Sequence, residues 1–241
     1  MKIGDIGEFG VIELLKTMVD QAFASAKDSA PPLLGIGDDA AAWRTEDGVE
    51  IVTTDTLVEG VHFTHGFIPW DELGWKVLAV NLSDIAAMGG TPAYALITLG
   101  LSPATDISYV QELYKGILNA AITYRCRIVG GDLVKSPTTF ITVSMTGAST
   151  GRLLTRHTAL PGDLIAVTGH LGCSGGGVTA IKQGLSIEKD PYYHLVQRHN
   201  NPIPRITEGQ TLVKAGISTA MDISDGLVND LSKICTSSQV G

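Results

Sequence analysis

Apolar residues at Phe9, Ile12, Leu15, Val19 and Phe23 recur at the spacing of one helical face, which predicts an amphipathic helix over Glu8–Phe23 and a linker from Ala24 to Pro32. Leu33–Trp43 reads as a short strand broken by the turn Gly37, Asp38, Asp39, and Glu50–Asp55 is a β-branched run that ends on an acid. The pattern changes over Lys76–Thr91, KVLAVNLSDIAAMGGT. Here Val77, Leu78, Val80, Leu82, Ile85, Ala86 and Met88 cover too much of a helical circumference for a surface helix, so this one is expected to be buried on nearly every side. Gly89 and Gly90 should stop it. A strand over Ala93–Leu101, a helix over Asp106–Tyr124, a short strand Arg127–Val129 running into Gly130, Gly131 and Asp132, and an alternating strand Thr139–Ala148 complete a first unit.

The polar, basic connection GRLLTRHTALPGD then changes the composition, which places a domain boundary near Thr150, with an N-terminal domain over 1–149 and a C-terminal one over 150–241. The second unit is expected to hold a strand Leu164–Thr168, a glycine-rich loop Gly172–Gly177, helices over Val178–Gln183 and Pro204–Ala215, a strand Thr219–Ile223 and a helix Leu227–Cys235. These elements are too few to close a core of their own. The fold class is α+β, a mixed α/β arrangement in two domains, with no internal repeat or heptads.

Composition and charge narrow the chemistry. The net charge of -8 and the lack of Lys and Arg clusters argue against a nucleic-acid surface. Cys126, Cys173 and Cys235 are far apart and odd in number, which supports neither a disulfide framework nor a zinc site and fits a reducing, cytoplasmic location. The N-terminal stretch has neither a basic segment followed by an apolar core nor a long apolar span, so neither secretion nor membrane insertion is expected.

Aspartates recur where apolar runs end: Asp38 and Asp39 in GIGDDA, Asp55 in VTTDT, Asp132 in VGGD, Asp222 and Asp225 in MDISDG. Asp84 lies inside the buried helix, and no Lys or Arg occurs between Lys76 and Lys115. An ionised carboxylate there needs a cation, and a metal ion would supply one; Asn81, one turn earlier, could line the same polar pocket. Oxygen donors without His or Cys suit Mg²⁺ or Mn²⁺. Magnesium keeps waters and binds substrate phosphates, so an acid set of this size suggests several ions holding a polyphosphate. Any one Asp beside Gly is also a common turn or cap residue. There is no GxxxxGK[ST] loop and no protein-kinase motif set, so phosphate would be held by metals and glycine amides, with Lys135, Arg152 and above all Arg156 as nearby cations. Thr53 and Thr54 could add oxygen to a metal shell, or be threonines favoured simply by strand propensity. His62 either meets a substrate or serves a structural role.

GIGDDAA, TTDTLVEGVHF, NLSDIAAMGGTP, GGD, GRLLTRHTALPGD and ISDGL, in this order and at these spacings, resemble the thiamine-monophosphate kinase family of the PurM-like ATP-binding superfamily, from Glu8 to the last residue. The resemblance implies transfer of the ATP γ-phosphate to thiamine monophosphate on several Mg²⁺ ions, in a homodimer joined through the N-terminal sheets. It further implies that Asp39, Thr53, Thr54, Asp55, Asp84, Asp132, Asp222 and Asp225 are metal ligands. Gly131, Asp132, Arg156 and Ser224 would contact ATP, and His62 the thiamine phosphate. No side-chain nucleophile or base is implied, because the acceptor phosphate, with a second pKa of about 6, is already an anion at neutral pH. Aminoimidazole ribonucleotide synthetase, another PurM-like enzyme, and a non-catalytic metal- or nucleotide-binding scaffold are the alternatives. Members of the family continue beyond the ISDG helix, so the C-terminal domain is expected to be incomplete at Gly241. ATP should then bind better than thiamine monophosphate, and apolar faces of Leu164–Thr168 and Leu227–Cys235 should lie open.

Overall fold

The computed structural model describes residues 3–23, 32–185 and 192–241. In chain order its elements are α1 (Ile3–Phe23), β1 (Ala41–Thr45), β2 (Gly48–Val58), α2 (Trp70–Ala87), β3 (Thr91–Leu101), α3 (Ile107–Thr123), β4 (Arg127–Lys135), β5 (Phe140–Ser149), α4 (Cys173–Lys182), α5 (Tyr192–Asn200), α6 (Ile206–Lys214) and α7 (Leu227–Ser238). Residues 24–31 of the expected linker lie outside the described residues. The strands form one sheet in the order β1-β2-β5-β3-β4. Every neighbouring pair is antiparallel except β3 and β4, which run parallel and are joined by the crossover helix α3.

α2 is the spine of the molecule. Leu73, Val77, Leu78, Leu82, Ile85 and Met88 are fully buried, as the all-round apolar pattern predicts, against Ile51, Ile97, Ile141, Val143 and Met145 of the sheet and Leu113 and Ile117 of α3. At about 2 kcal/mol for each large side chain removed from water, this one cluster outweighs any surface ion pair in the chain. The helix ends where Gly89 adopts φ 71°, the Gly89 N–H donating to the Ala86 carbonyl and the Gly90 N–H to that of Ile85. That pairing satisfies two orphan carbonyls and turns the chain directly into β3. α2 and α3 touch backbone to backbone: a Cβ on Gly74 would run into the Leu113 carbonyl oxygen, and one on Gly116 into that of Asp71.

The C-terminal half wraps the other side of α2. α6 is seated with Gly209 against the Ala86 carbonyl. The Trp75 indole N–H donates to the Pro202 carbonyl at 2.8 Å, and Glu72 accepts from the side-chain amides of Gln197 and Asn200. Lys76 is buried and lies 3.0 Å from His199 Nε2, whose Nδ1 lies 2.9 Å from the Ser174 hydroxyl. Burial lowers both groups, Lys76 to about 8 and His199 to about 4, so at neutral pH an ammonium donates to a neutral imidazole.

Several expectations need correction. Arg127–Val129 is not a strand ending before the glycines; β4 continues through Gly130, Gly131 and Asp132 to Lys135, because β3 provides a parallel ladder along that length. Leu164–Thr168 forms no strand, and Leu164 stands 96% exposed. Thr219–Ile223 contributes only an isolated bridge, Thr155 to Thr219. The glycines of Gly172–Gly177 enter α4 instead of forming a loop before it, and α5 was not anticipated. α1 forms, but with its apolar stripe outward: Phe9, Leu15, Val19 and Phe23 are exposed, whereas Ile6, Ile12 and Lys16 are half-buried.

Candidate active site

Three chain segments deliver one carboxylate each to the same place. Asp39 comes from the turn before β1, Asp84 from the last turn of α2, and Asp222 from the segment before α7; one oxygen of each lies within 4.8 Å of the others. Asp55 joins them along β2. Strand alternation puts Val49, Ile51, Thr53, Asp55 and Leu57 on the helix-covered face, so Asp55 faces the same side as Thr53, which donates its hydroxyl to Asp84 Oδ2 at 2.5 Å. The Ser83 hydroxyl likewise donates to Asp222 Oδ2 at 2.9 Å. The cation nearest these acids is Arg156, whose guanidinium pairs with Asp39 and lies 3.7 Å from Asp38, and whose backbone N–H donates to Asp38 at 3.2 Å.

The acids repel one another in a partly buried place. Burial pushes the Asp84 carboxyl up to about 8; the Asp222 charge adds to this and the Thr53 hydrogen bond opposes it. Asp39 rises to about 7 through burial, against the hydrogen bond from Arg156, and Asp55 to about 6 through burial and Asp222. Asp222 is raised by burial, opposed by the Ser83 hydrogen bond. Asp84 also sits at the C-terminal, negative end of the α2 dipole, which further disfavours an anion. Asp39 Oδ2 and Asn81 Oδ1 are buried without a hydrogen-bond partner. Hard oxygen donors, two orphaned acceptors and a local excess of negative charge suit a hard divalent cation.

A folded-state pKa raised above the unfolded value contributes stability that is present at low pH and lost as pH rises through the folded pKa. His199, lowered to about 4, acts oppositely, but only below the ordinary histidine range, and Lys76, lowered to about 8, acts oppositely only as pH nears 8 and above. Between pH 6.5 and 7.5 the carboxylates therefore prevail. In a chelator, the melting temperature of the metal-free chain is expected to fall across that window, and calorimetry showing a rise would contradict the assigned shifts.

The other expected residues are more dispersed. Thr54 points to the opposite sheet face, its hydroxyl on the Val143 carbonyl at 2.9 Å, so only its backbone is directed toward the acids. Asp225 is paired with Lys233 at 2.9 Å. The Ser224 N–H, together with those of Asp225 and Gly226, is held by Asp230 Oδ2. That anchor, 1% exposed, was missed by sequence reasoning, although an acid in the first turn of a helix after a Ser-Asp-Gly turn was the available signal. His62 Nδ1 accepts the Val58 N–H at 3.0 Å, which leaves Nε2–H as an outward donor. Gly131 and Asp132 lie in β4, outside the three-acid cluster, and line a cleft of about 870 Å³ with Ile97, Leu99, Val110 and Tyr114. Gly131 admits no side chain, because a Cβ would collide with the Ile97 carbonyl. Cleft and acids share one row across the sheet, Asp55–Val143–Ile97–Gly131. Three strand spacings, roughly 14 Å, separate its ends.

This helix-covered sheet with its acid cluster belongs to a class that known proteins share. The family described as AIR synthase related protein, N-terminal domain, matches residues 37–149, and its C-terminal domain counterpart matches 161–241. The thiamine-monophosphate kinase of Aquifex aeolicus is 37% identical over 244 residues, covering 100% of this chain and 74% of its own, and that of Bacillus subtilis is 37% identical over 215 residues, covering 86% and 65%. The solved structure of AaThiL complexed with AMPPCP and TMP superposes with a TM-score of 0.88 at 37% identity, over 99% of this chain and 72% of that one. The chain belongs to the thiamine-monophosphate kinase family, and it spans about two thirds to three quarters of the length of these relatives.

Proposed function

We propose that this chain transfers the terminal phosphate of ATP to thiamine monophosphate, forming thiamine diphosphate and ADP. The observation that carries the reading is the convergence of Asp39, Asp84 and Asp222 in an acid-rich cluster, on one sheet row with an apolar cleft suited to a nucleotide base. Asp39, Asp84, Asp222 and Asp55 would hold Mg²⁺, with Thr53, the Thr54 backbone, Asp132 and Asp225 as the further ligands on the family pattern. The metal supplies charge neutralisation and in-line positioning for two phosphates that repel each other. The protein's own part is to bind and orient. The cleft takes the base beside Gly131, Arg156 and the Ser224 turn approach the phosphates, and the His62 Nε2–H is free to donate to the acceptor phosphate. No general base is needed for an oxygen that is already anionic.

The open sheet face, with Thr54, Thr56, Tyr94 and Leu96 exposed, supports a homodimer joined through the sheets. Cytoplasmic action fits three free cysteines. Among the described residues, no helix is long and apolar enough to cross a membrane.

The test is product analysis by anion-exchange chromatography after incubation with Mg²⁺, ATP and thiamine monophosphate. Thiamine diphosphate is the expected product. ATP consumption without it would favour another PurM-like enzyme, and binding without turnover a scaffold. His62→Ala is expected to weaken thiamine monophosphate binding about tenfold, the loss of one charge-assisted hydrogen bond, and to leave ATP binding nearly unchanged. Equal calorimetric losses for both ligands would return His62 to a purely structural role.

A further inference from the structure

α1 is turned in an unexpected sense, with Leu14, Leu15, Met18 and Val19 facing outward and Lys16 inward. Burying part of a lysine while leaving leucines in water is unfavourable unless the ammonium is needed where it points. The Lys16 Nζ lies 3.5 Å from where a Cβ on Gly37 would stand, directly over the Gly37-Asp38-Asp39 turn that delivers Asp39 to the acid cluster. Among the described residues Lys16 makes no hydrogen bond or ion pair; the carboxylates of Asp38 and Asp39, which follow Gly37 in the chain, are engaged by Arg156.

A second contact shows how α1 is held there. The Phe9 ring lies under the Lys233 ammonium, 5.1 Å from centroid to nitrogen, and Lys233 is itself bound to Asp225 and Asp230. α1 therefore runs from the MDISDG segment, which carries Asp222, to the GIGDD segment, which carries Asp39. Those two segments supply two of the three clustered acids, so α1 crosses beside the cluster. Phe9 fixes one point of the helix, and Lys16, two turns on, is aimed at the other.

We propose that Lys16 is a binding residue for the terminal phosphate of the nucleotide, inserted from α1 and using an ammonium that has no partner within the described chain. The assignment rests on the kinase reading above. A compact ammonium with three rotatable donors suits the oxygens of a phosphate that carries more charge than the rest of the nucleotide. Together, Arg156 and Lys16 bracket the GIGDD turn with two positive charges, one engaged with its acids and one free for a ligand.

The test is isothermal titration, with Mg²⁺, of a non-hydrolysable ATP analogue and of ADP into the unaltered chain, Lys16→Met and Lys16→Arg, with thermal melts to verify folding. Lys16→Met is expected to weaken the triphosphate analogue about tenfold or more and ADP less than about twofold, as one charge-assisted hydrogen bond to the last phosphate requires. Lys16→Arg should keep most of the affinity. Equal losses for the two nucleotides, or no loss for either, would overturn the assignment, as would a loss in Lys16→Arg as large as in Lys16→Met. Failure of the unaltered chain to bind either nucleotide would instead overturn the kinase reading, and the role of Lys16 with it.

Discussion

Asp84→Asn is expected to lower Mg²⁺-dependent ATP binding by more than about 100-fold, since even groups that only support metal ligands commonly contribute 10–100-fold. Asp84 joins the cluster from α2: one of its oxygens lies within 4.8 Å of one each from Asp39 and Asp222, it receives the Thr53 hydroxyl, and it projects from the negative end of the helix. Asparagine keeps the shape and one acceptor but removes the charge that recruits a cation. The same change should leave the metal-free chain folded, and at pH 8 as stable or more so, because it removes an anion that burial and neighbouring acids already oppose. Calorimetric titration with and without Mg²⁺, beside melts at pH 6.5 and 8, separates the two effects. Unchanged nucleotide affinity would sink the metal assignment; a strongly destabilised metal-free protein would show that Asp84 is mainly structural.

Gly116→Ala is expected to be the most damaging small substitution. Alanine gains about 1 kcal/mol of helix propensity over glycine. Against this, its methyl would meet the Asp71 carbonyl and the neighbouring backbone of α2, where nothing flexible can give way. Overpacking of this kind costs about 3 kcal/mol when the elements must separate, so the net loss is roughly 2 kcal/mol or more and the melting temperature should drop by at least ~4 °C. Gly74→Ala attacks the same crossing from the other helix, through the Leu113 carbonyl. Because both force α2 and α3 apart, the double variant should lose less than the sum of the singles. A neutral Gly116→Ala would mean that the helices can slide apart without cost, and additive losses would mean that the two contacts yield independently of each other. Separation would also disturb α2 near Lys76 and Glu72, where the C-terminal half is attached.

Local pattern alone determined a good deal here. The near-continuous apolar circumference of 77–88 required a buried helix, Gly89 and Gly90 ended it, and alternation over 139–148 marked a strand, because helix and strand periodicity and glycine backbone freedom act within a few residues. The recurrence of Asp at the ends of apolar runs likewise singled out Asp39, Asp55 and Asp222, and an unpaired acid inside a buried helix singled out Asp84, as candidates for one site. What tertiary structure decided was pairing. β4 persists through Gly130 and Gly131 because β3 lies alongside to hydrogen-bond it, whereas Leu164–Thr168, equally strand-like in composition, has no ladder to join and stays irregular. Gly74 and Gly116 look like poor helix residues until the two helices are seen in backbone contact. The three acids that converge come from positions 39, 84 and 222, and only the wrapping of the C-terminal half around α2 brings the last to the others, while Asp132 is carried by β4 to the cleft and Asp225 is taken by Lys233. The outward stripe of α1 shows the limit from the other side. Its period predicted a helix correctly but not which face turns inward, since that depends on where Lys16 and Phe9 find their neighbours.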